Sequence, residues 1–342
     1  MTIALDATYS IGDELSGVGL YSREILAGLA AAHPETRFDF WYRPHRFFRS
    51  PGGLPGNVRR RLLAEPLGPR FATLFHGLNQ RLPDIRLRRS VATFHDLFVM
   101  TGEYSTAEFR ARFTRQARDA AARADAIIAV SAFTKSQVVS LLGVAPGKVR
   151  VIHHGTRRLA FPAGGDREPV ILNVGAIQKR KNIGRLVEAF ETIGPPWRLV
   201  LAGASGYGAA EILQQIEAST ARERITRLGY VTPADLAHWY RRATIFAFPS
   251  LDEGFGMPLL EAMAAGLPIV TSNRSALPDV AGDAAILVDP EDTDAISGAL
   301  LDLTRNRERR EQLSQRGLAR TQLFTWENAV RETWDVYREV LG

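Results

Sequence analysis

SLDEGFGMPLLEAMAAGLPIV, residues 250–270, follows the apolar run TIFAFP and sets Glu253 and Glu261 on either side of Gly254-Phe255-Gly256. A strand-to-helix turn needs only one glycine and a cap. Pro258 suits the first turn of a helix, because the N–H that proline lacks is unused there. The pattern therefore predicts a helix over PLLEAMAA that stops at Gly266. Gly256 and Met257 would then aim free backbone N–H groups at a ligand, with Gly254 and Gly256 permitting close approach. Such a helix start favours an anion. Glu261 falls within the predicted first turn, where the helix dipole alone accounts for a carboxylate. Glu253 precedes the helix and has no such support. A carboxylate beside an anion site is costly unless hydroxyl groups donate to it. A ligand carrying both phosphate and hydroxyls, a nucleotide sugar, satisfies both glutamates.

Outward from this loop, short apolar runs alternate with helical periods, the pattern of parallel α/β layers. TIALDA, RFDFWY, SVATFH, AIIAVS and VRVIHH read as strands of a first half; PVILNVG, RLVLAG, RITRLGYV, TIFAFPS, LPIVTS and AAILVD read as those of a second. Thr232 and Pro233 are placed to cap and open a helix between strands of the second half. GTRRLAFPAGGDREP, 155–169, mixes Pro, Gly and charge without a period and reads as a linker. The expected domains are 1–160, 161–325 and a closing helix, 326–342, packed back on the first. At 342 residues two cores are the default.

Composition narrows the classes. With 45% apolar and 23% charged residues the chain is neither disordered nor membrane-spanning, and no run of 18 apolar residues occurs. The N-terminus lacks a signal-peptide layout. Zero cysteines exclude disulfides and thiolate metal sites and fit a reducing cytoplasm. The net charge of +6 is concentrated: eleven arginines lie between Arg43 and Arg89 against only Glu65 and Asp84. A nucleic-acid groove, a membrane-surface patch, an anionic-substrate pocket and a solvated loop all fit that bias. No nucleic-acid motif accompanies it, so no nucleic-acid partner is expected.

Doubly wound sheets bind ligands past the carboxyl ends of their strands. Gly17-Val18-Gly19 follows the first strand and either cradles phosphate or makes a tight turn. His95 follows SVATF and is either a proton carrier or sugar ligand, or a structural histidine. Lys179, Arg180 and Lys181 stand at a helix mouth, where cations are unfavourable unless an anion shares the site. Asp292-Thr293-Asp294 matches a metal-binding DxD string, but it precedes a helical pattern and reads as a cap. His153 and His154, adjacent on an expected strand, face opposite ways and cannot share one ion.

EGFGMPLLEAMAAGLPIV resembles the E-x7-E signature of the family 4 retaining glycosyltransferases, with GVGLYSREIL, TFHDL, VGAIQKRKN and LGYVTPADLAHWYRRA in the family's order. The resemblance covers nearly the whole chain. It implies the GT-B fold, two doubly wound Rossmann-like lobes facing across a cleft, acceptor in the first and nucleotide sugar in the second. It implies that Glu261 binds the donor ribose and Glu253 the transferred sugar, while Phe255, Gly256 and Met257 offer backbone N–H groups. Lys181, with Arg180 beside it, would neutralise the diphosphate near Gly175. Gly17 and Val18 would approach from the other lobe. His95, Glu253 and Lys181 are the implied catalytic residues, and Tyr230 and Val231 line the base. Many members carry arginine where this chain has Ala176, which leaves the phosphate site resting on Lys181 and Arg180. The implied activity needs no metal and no cofactor beyond the donor, a GDP-mannose-like sugar before a UDP-sugar. The acceptor is a glycan or lipid-linked glycan, and segment 43–89 would meet an anionic membrane from the cytoplasmic side. A non-hydrolysing sugar-nucleotide epimerase and a catalytically silent nucleotide-sugar-binding protein are the alternatives.

Overall fold

The computed structural model describes residues 1–12, 15–49, 53–64, 68–157, 159–161 and 166–342. The chain divides into two compact units. Unit 1 comprises Met1–Thr101, Thr106–Gly155 and Thr325–Gly342; unit 2 comprises Gly102–Ser105 and Thr156–Phe324.

Unit 1 is built on a seven-stranded parallel sheet: β1 (Thr2–Asp6), β2 (Arg37–Tyr42), β3 (Val58–Leu62), β4 (Leu74–Gly77), β5 (Ser90–Phe94), β6 (Ala126–Ala129) and β7 (Val149–Val151). The order β3-β2-β1-β4-β5-β6-β7 reverses direction between β1 and β4. The central strands are near-continuous buried runs, as a sheet covered on both faces requires. The closing helix Trp326–Leu341 belongs to this unit and packs on the helix Gly17–Ala32. A Cβ on Gly28 would meet Val330 Cγ2 at 2.4 Å, so only glycine allows that approach. Tyr337 on the same helix reaches His76 Nδ1 at 2.5 Å, and His76 Nε2 lies 2.8 Å from Thr93 Oγ1.

Unit 2 repeats the plan with six parallel strands: β8 (Val170–Val174), β9 (Arg198–Ala202), β10 (Ile225–Gly229), β11 (Ile245–Phe248), β12 (Ile269–Ser272) and β13 (Ile286–Val288). Their order is β10-β9-β8-β11-β12-β13, with the reversal between β8 and β11. Ile171, Leu199, Ile245 and Val270 interlock with Leu186 and Phe190 in its core. Among the described residues no helix is long and apolar enough to cross a membrane.

Three sequence expectations change. The arginine-rich segment is not one patch, because β3 and β4 run through it. Arg59 and Arg61 face one side of β3, whereas the Arg60 guanidinium sits 4.8 Å from the Phe47 ring; Ser50–Gly52 and Glu65–Leu67 lie outside the described residues. The strand read through His153-His154 ends at Val151, so the two histidines sit beyond it and the alternation argument does not apply. Of the 155–169 linker, residues 158 and 162–165 lie outside the described set, but the rest is not idle. Arg167 donates to the Ala243 carbonyl at 2.7 Å and to the Ala265 carbonyl at 2.5 Å, capping two helix ends at once.

Candidate active site

The reversal between β8 and β11 decides which loops of unit 2 meet, because chain leaving the two strands diverges there and opens a crevice. Gly175 follows β8 with φ +150°. A Cβ there would lie 3.2 Å from Lys181 Cε, so the glycine makes room for the lysine. A short turn, Lys179–Lys181, then leads into the helix Ile183–Glu191 through Asn182, whose φ is +56°. Asn182 donates to the carbonyls of Pro249 (3.1 Å) and Pro290 (2.6 Å), and Leu251 N–H donates to the Arg180 carbonyl at 2.8 Å. These bonds fasten the two loops together.

Within that frame Glu253 is closed between two cations. Lys181 Nζ donates to its Oε1 at 2.5 Å, and Arg180 Nη1 lies 2.9 Å from its Oε2. Glu253 is only 7% exposed and Lys181 likewise. Burial alone pushes the carboxyl up, but Arg180 and Lys181 outweigh it and hold Glu253 down at about 2. Arg180 also donates to the Asp252 carbonyl, and Lys181 Nζ sits 4.6 Å from the Phe248 ring centroid. The sequence reading gave Glu253 hydroxyl donors and left the cations to an external anion. The structure supplies the anion from within, across 72 positions of chain.

The following helix is Met257–Ala264, one residue earlier than expected, capped by Gly256 at φ +99°. Met257 opens it, half-buried, while the Phe255 side chain packs edge-on against Phe324 at 5.9 Å. No acidic residue lies in its first turn, so the dipole explanation for Glu261 fails. Glu261 is instead held by side chains: Tyr240 O–H donates to Oε2 at 2.9 Å, and Arg157 Nη1 stands 3.8 Å from Oε1. Burial raises its carboxyl above the usual range, with Arg157 and Tyr240 pulling the other way. The two glutamates of one motif thus sit in opposite electrical settings. Tyr230, half-exposed, and Val231 follow the edge strand β10, two strands out from β8, and take no part in the ion-pair cluster.

In unit 1, Gly17 and Val18 are the first residues of their helix, with Ser16 capping it by accepting from Gly19 N–H at 3.3 Å. Their first-turn N–H groups are thereby directed outward from the helix start. Gly19 is steric: its Cβ would meet the Tyr9 carbonyl at 2.9 Å. His95, 7% exposed, has Nε2 at 2.9 Å from the Leu78 carbonyl. A carbonyl only accepts, so Nε2 carries the hydrogen and Nδ1 the lone pair. Burial lowers its pKa to about 4, against the opposing Leu78 bond, so the ring is neutral at pH 7. His154 stacks on it at 5.4 Å and Tyr21 meets it edge-on at 4.8 Å. Sequence reasoning missed Asn182, Tyr240 and Arg157, and weighed His154 only as half of a metal pair. Only Asn182 left a signal, an Asn directly before a helix period. Asp292 caps its helix by accepting from Ala295 N–H at 2.9 Å. Among the described residues no group of three His, Asp or Glu is placed to hold a metal ion.

Two doubly wound parallel lobes with this loop geometry define the GT-B fold. Sucrose-phosphate synthase from Thermosynechococcus elongatus superimposes with TM-score 0.77 at 24% identity, covering 99% of this chain and 98% of that one. Anabaena HepE in complex with UDP-glucose superimposes with TM-score 0.75 at 16% identity, covering 99% of each. Residues 17–157 match Glycosyltransferase Family 4 and residues 160–320 match Glycosyl transferases group 1. The Escherichia coli O-antigen chain mannosyltransferase B is 31% identical over 375 aligned positions, 97% of this chain and 98% of that protein. The chain belongs to the family 4 glycosyltransferases.

Proposed function

We propose that the chain transfers mannose, with retention and without a metal, from GDP-mannose to a hydroxyl of a glycan or lipid-linked glycan in cell-envelope polysaccharide synthesis. The observation that carries the chemistry is the buried pair Lys181 and Arg180 closed on Glu253 beside the helix start at Gly256-Met257. The sugar is supported by the name of the O-antigen chain mannosyltransferase B. A UDP-sugar is the second donor, supported by the UDP-glucose complex of HepE.

In this reading the bond from the anomeric carbon to the diphosphate breaks. The acceptor oxygen bonds to that carbon on the same face, and its proton passes to a leaving phosphate oxygen. Lys181, Arg180 and the N–H groups of Gly256 and Met257 take the developing negative charge, as preorganised donors do best. Glu253, released from part of its cation pairing, accepts from sugar hydroxyls. Glu261 accepts from the ribose, its carboxylate oriented by Tyr240. In unit 1, Gly17 and Val18 are assigned to the diphosphate and the His95 Nδ1 lone pair to a sugar hydroxyl. Gly175 leaves room at the phosphates, Phe255 N–H serves the sugar, and Tyr230 and Val231 flank the base.

The test is incubation with GDP-mannose or a UDP-sugar and a glycan acceptor, following free nucleoside diphosphate and product anomers by NMR. Release of GDP with an α-mannosyl product is expected. Isomerised sugar nucleotide, or binding without turnover on any acceptor, overturns the reading.

A further inference from the structure

The β2–β3 edge of unit 1 carries a groove lined by none of the residues assigned above to the transferase reaction. In parallel register Asp39 lies opposite Arg59 and Trp41 opposite Arg61, so alternation puts these four side chains, with Arg37, on one face. Together with Arg70 and Phe71 from the following loop they line a concavity of about 420 Å³. Arg70 and Phe71 also border a second concavity of about 790 Å³, which adds Arg86, Arg88 and Arg89.

Charge and hydrogen-bonding capacity in the first concavity lean one way. Its ionisable side chains are Arg37, Arg59, Arg61 and Arg70 against the single carboxylate of Asp39. Arg61 Nε stands 3.5 Å from Asp39 Oδ2, and that arginine remains 45% exposed. Asp39 and Trp41 are each nine-tenths buried, and among the described residues neither Asp39 Oδ1 nor Trp41 Nε1 has a hydrogen-bond partner. Unsatisfied buried polar atoms are rare in native structures and call for an explanation. Phe71 stands 81% exposed at the rim, an apolar ring among guanidinium groups. A merely solvated basic face explains neither the orphaned atoms nor the bare ring.

We infer that this groove binds a phosphate-bearing ligand. Guanidinium groups pair with phosphate oxygens in bidentate fashion, and four around one concavity suit a diphosphate or a row of phosphodiesters. Asp39 is the one carboxylate among them and would accept from a ligand hydroxyl. Soluble diphosphates and phospholipid headgroups share this chemistry; the exposed Phe71 ring would enter the interface of a bilayer in the second case.

The experiment titrates inorganic pyrophosphate calorimetrically into the full chain carrying Lys181→Ala, which removes one of the two cations of the other site. It also sediments the wild-type chain with vesicles of phosphatidylglycerol in phosphatidylcholine, against phosphatidylcholine alone. Each is repeated with Arg59→Gln/Arg61→Gln and with Arg37→Gln/Arg59→Gln, the second pair leaving the Arg61–Asp39 contact intact, and thermal melting checks the fold. Loss of pyrophosphate affinity by about tenfold or more in both pairs supports the groove with a soluble ligand. Groove-dependent binding to the anionic vesicles alone supports it with lipid headgroups. Unchanged binding in both pairs, or no binding to either probe, overturns it.

Discussion

Past the carboxyl end of β11, Glu253 is buried as an ion between Lys181 and Arg180; past the carboxyl end of β5, His95 is buried as a neutral ring among rings. Both places lie at or next to the strand reversal of their sheets, and both are largely buried. In unit 2 burial is offset by opposite charge at hydrogen-bond distance. In unit 1 it is offset by giving up the charge altogether, with one carbonyl fixing the tautomer. The first arrangement suits binding and stabilising a changing charge. The second suits recognition of a hydroxyl by a fixed lone pair.

The hardest way to break the contrast is to remove a cation. Lys181→Ala leaves Glu253 with Arg180 alone and should lower turnover by about 100- to 1000-fold, read from initial rates of nucleotide release. A fall of less than tenfold would mean that Lys181 does not meet the developing charge. Next in size are the glutamates. Glu261→Ala should weaken bare GDP by about tenfold or more in calorimetry, while Glu253→Ala spares bare GDP and damages turnover. Equal GDP affinity in all three proteins removes the ribose assignment.

Acid unfolding separates the units by pH. His95, at about 4 in the fold against 6.5 ordinarily, binds more protons when unfolded, so its stability contribution is lost as pH falls from 6.5 toward 4. His76, held down at about 3 by burial, acts in the same sense. Glu253, at about 2 against 4.5, loses its contribution only as pH falls from 4.5 toward 2. The raised carboxyl of Glu261 works oppositely above 4.5. Urea midpoints measured across this range should therefore fall first through unit 1, and His95→Phe should flatten the upper part. A midpoint constant from pH 6.5 to 4.5 would contradict the neutral ring. The smallest effect expected is none: EDTA should leave the rate unchanged, and loss with rescue by manganese would reopen the reading of Asp292 and Asp294 as ligands.

What the sequence made legible follows from locality. β1, β2 and β8 are apolar runs with turn punctuation, and each was readable. The Glu253–Glu261 loop was readable because its glycines and proline act within a few residues. β3 was not: VRRRL buries only its valine, since it closes an edge of the sheet, and an exposed strand has no apolar pattern. β4 is four residues, LFHG, too short to carry a period. The pairing of Lys181 with Glu253 depends on the order of β8 and β11, which no spacing encodes. The dipole explanation of Glu261 fails because the left-handed cap at Gly256 moves the helix start, and its partner Tyr240 is hidden from local reading on a different helix.

Arg167 adds a mechanical consequence. Its guanidinium is a cross-brace between the carboxyl ends of Pro233–Arg242 and Met257–Ala264, one helix carrying Tyr240 and the other Glu261. The tyrosine and the carboxylate are therefore not two independent parts that happen to touch. They ride on beams pinned at a shared joint, and a displacement of either beam is passed to the other through that planar group as well as through the Tyr240 hydroxyl. Lysine, with one compact ammonium, cannot span both ends. The spacing between Tyr240 and Glu261 therefore depends in part on residue 167, which lies outside the motif by which the site is read.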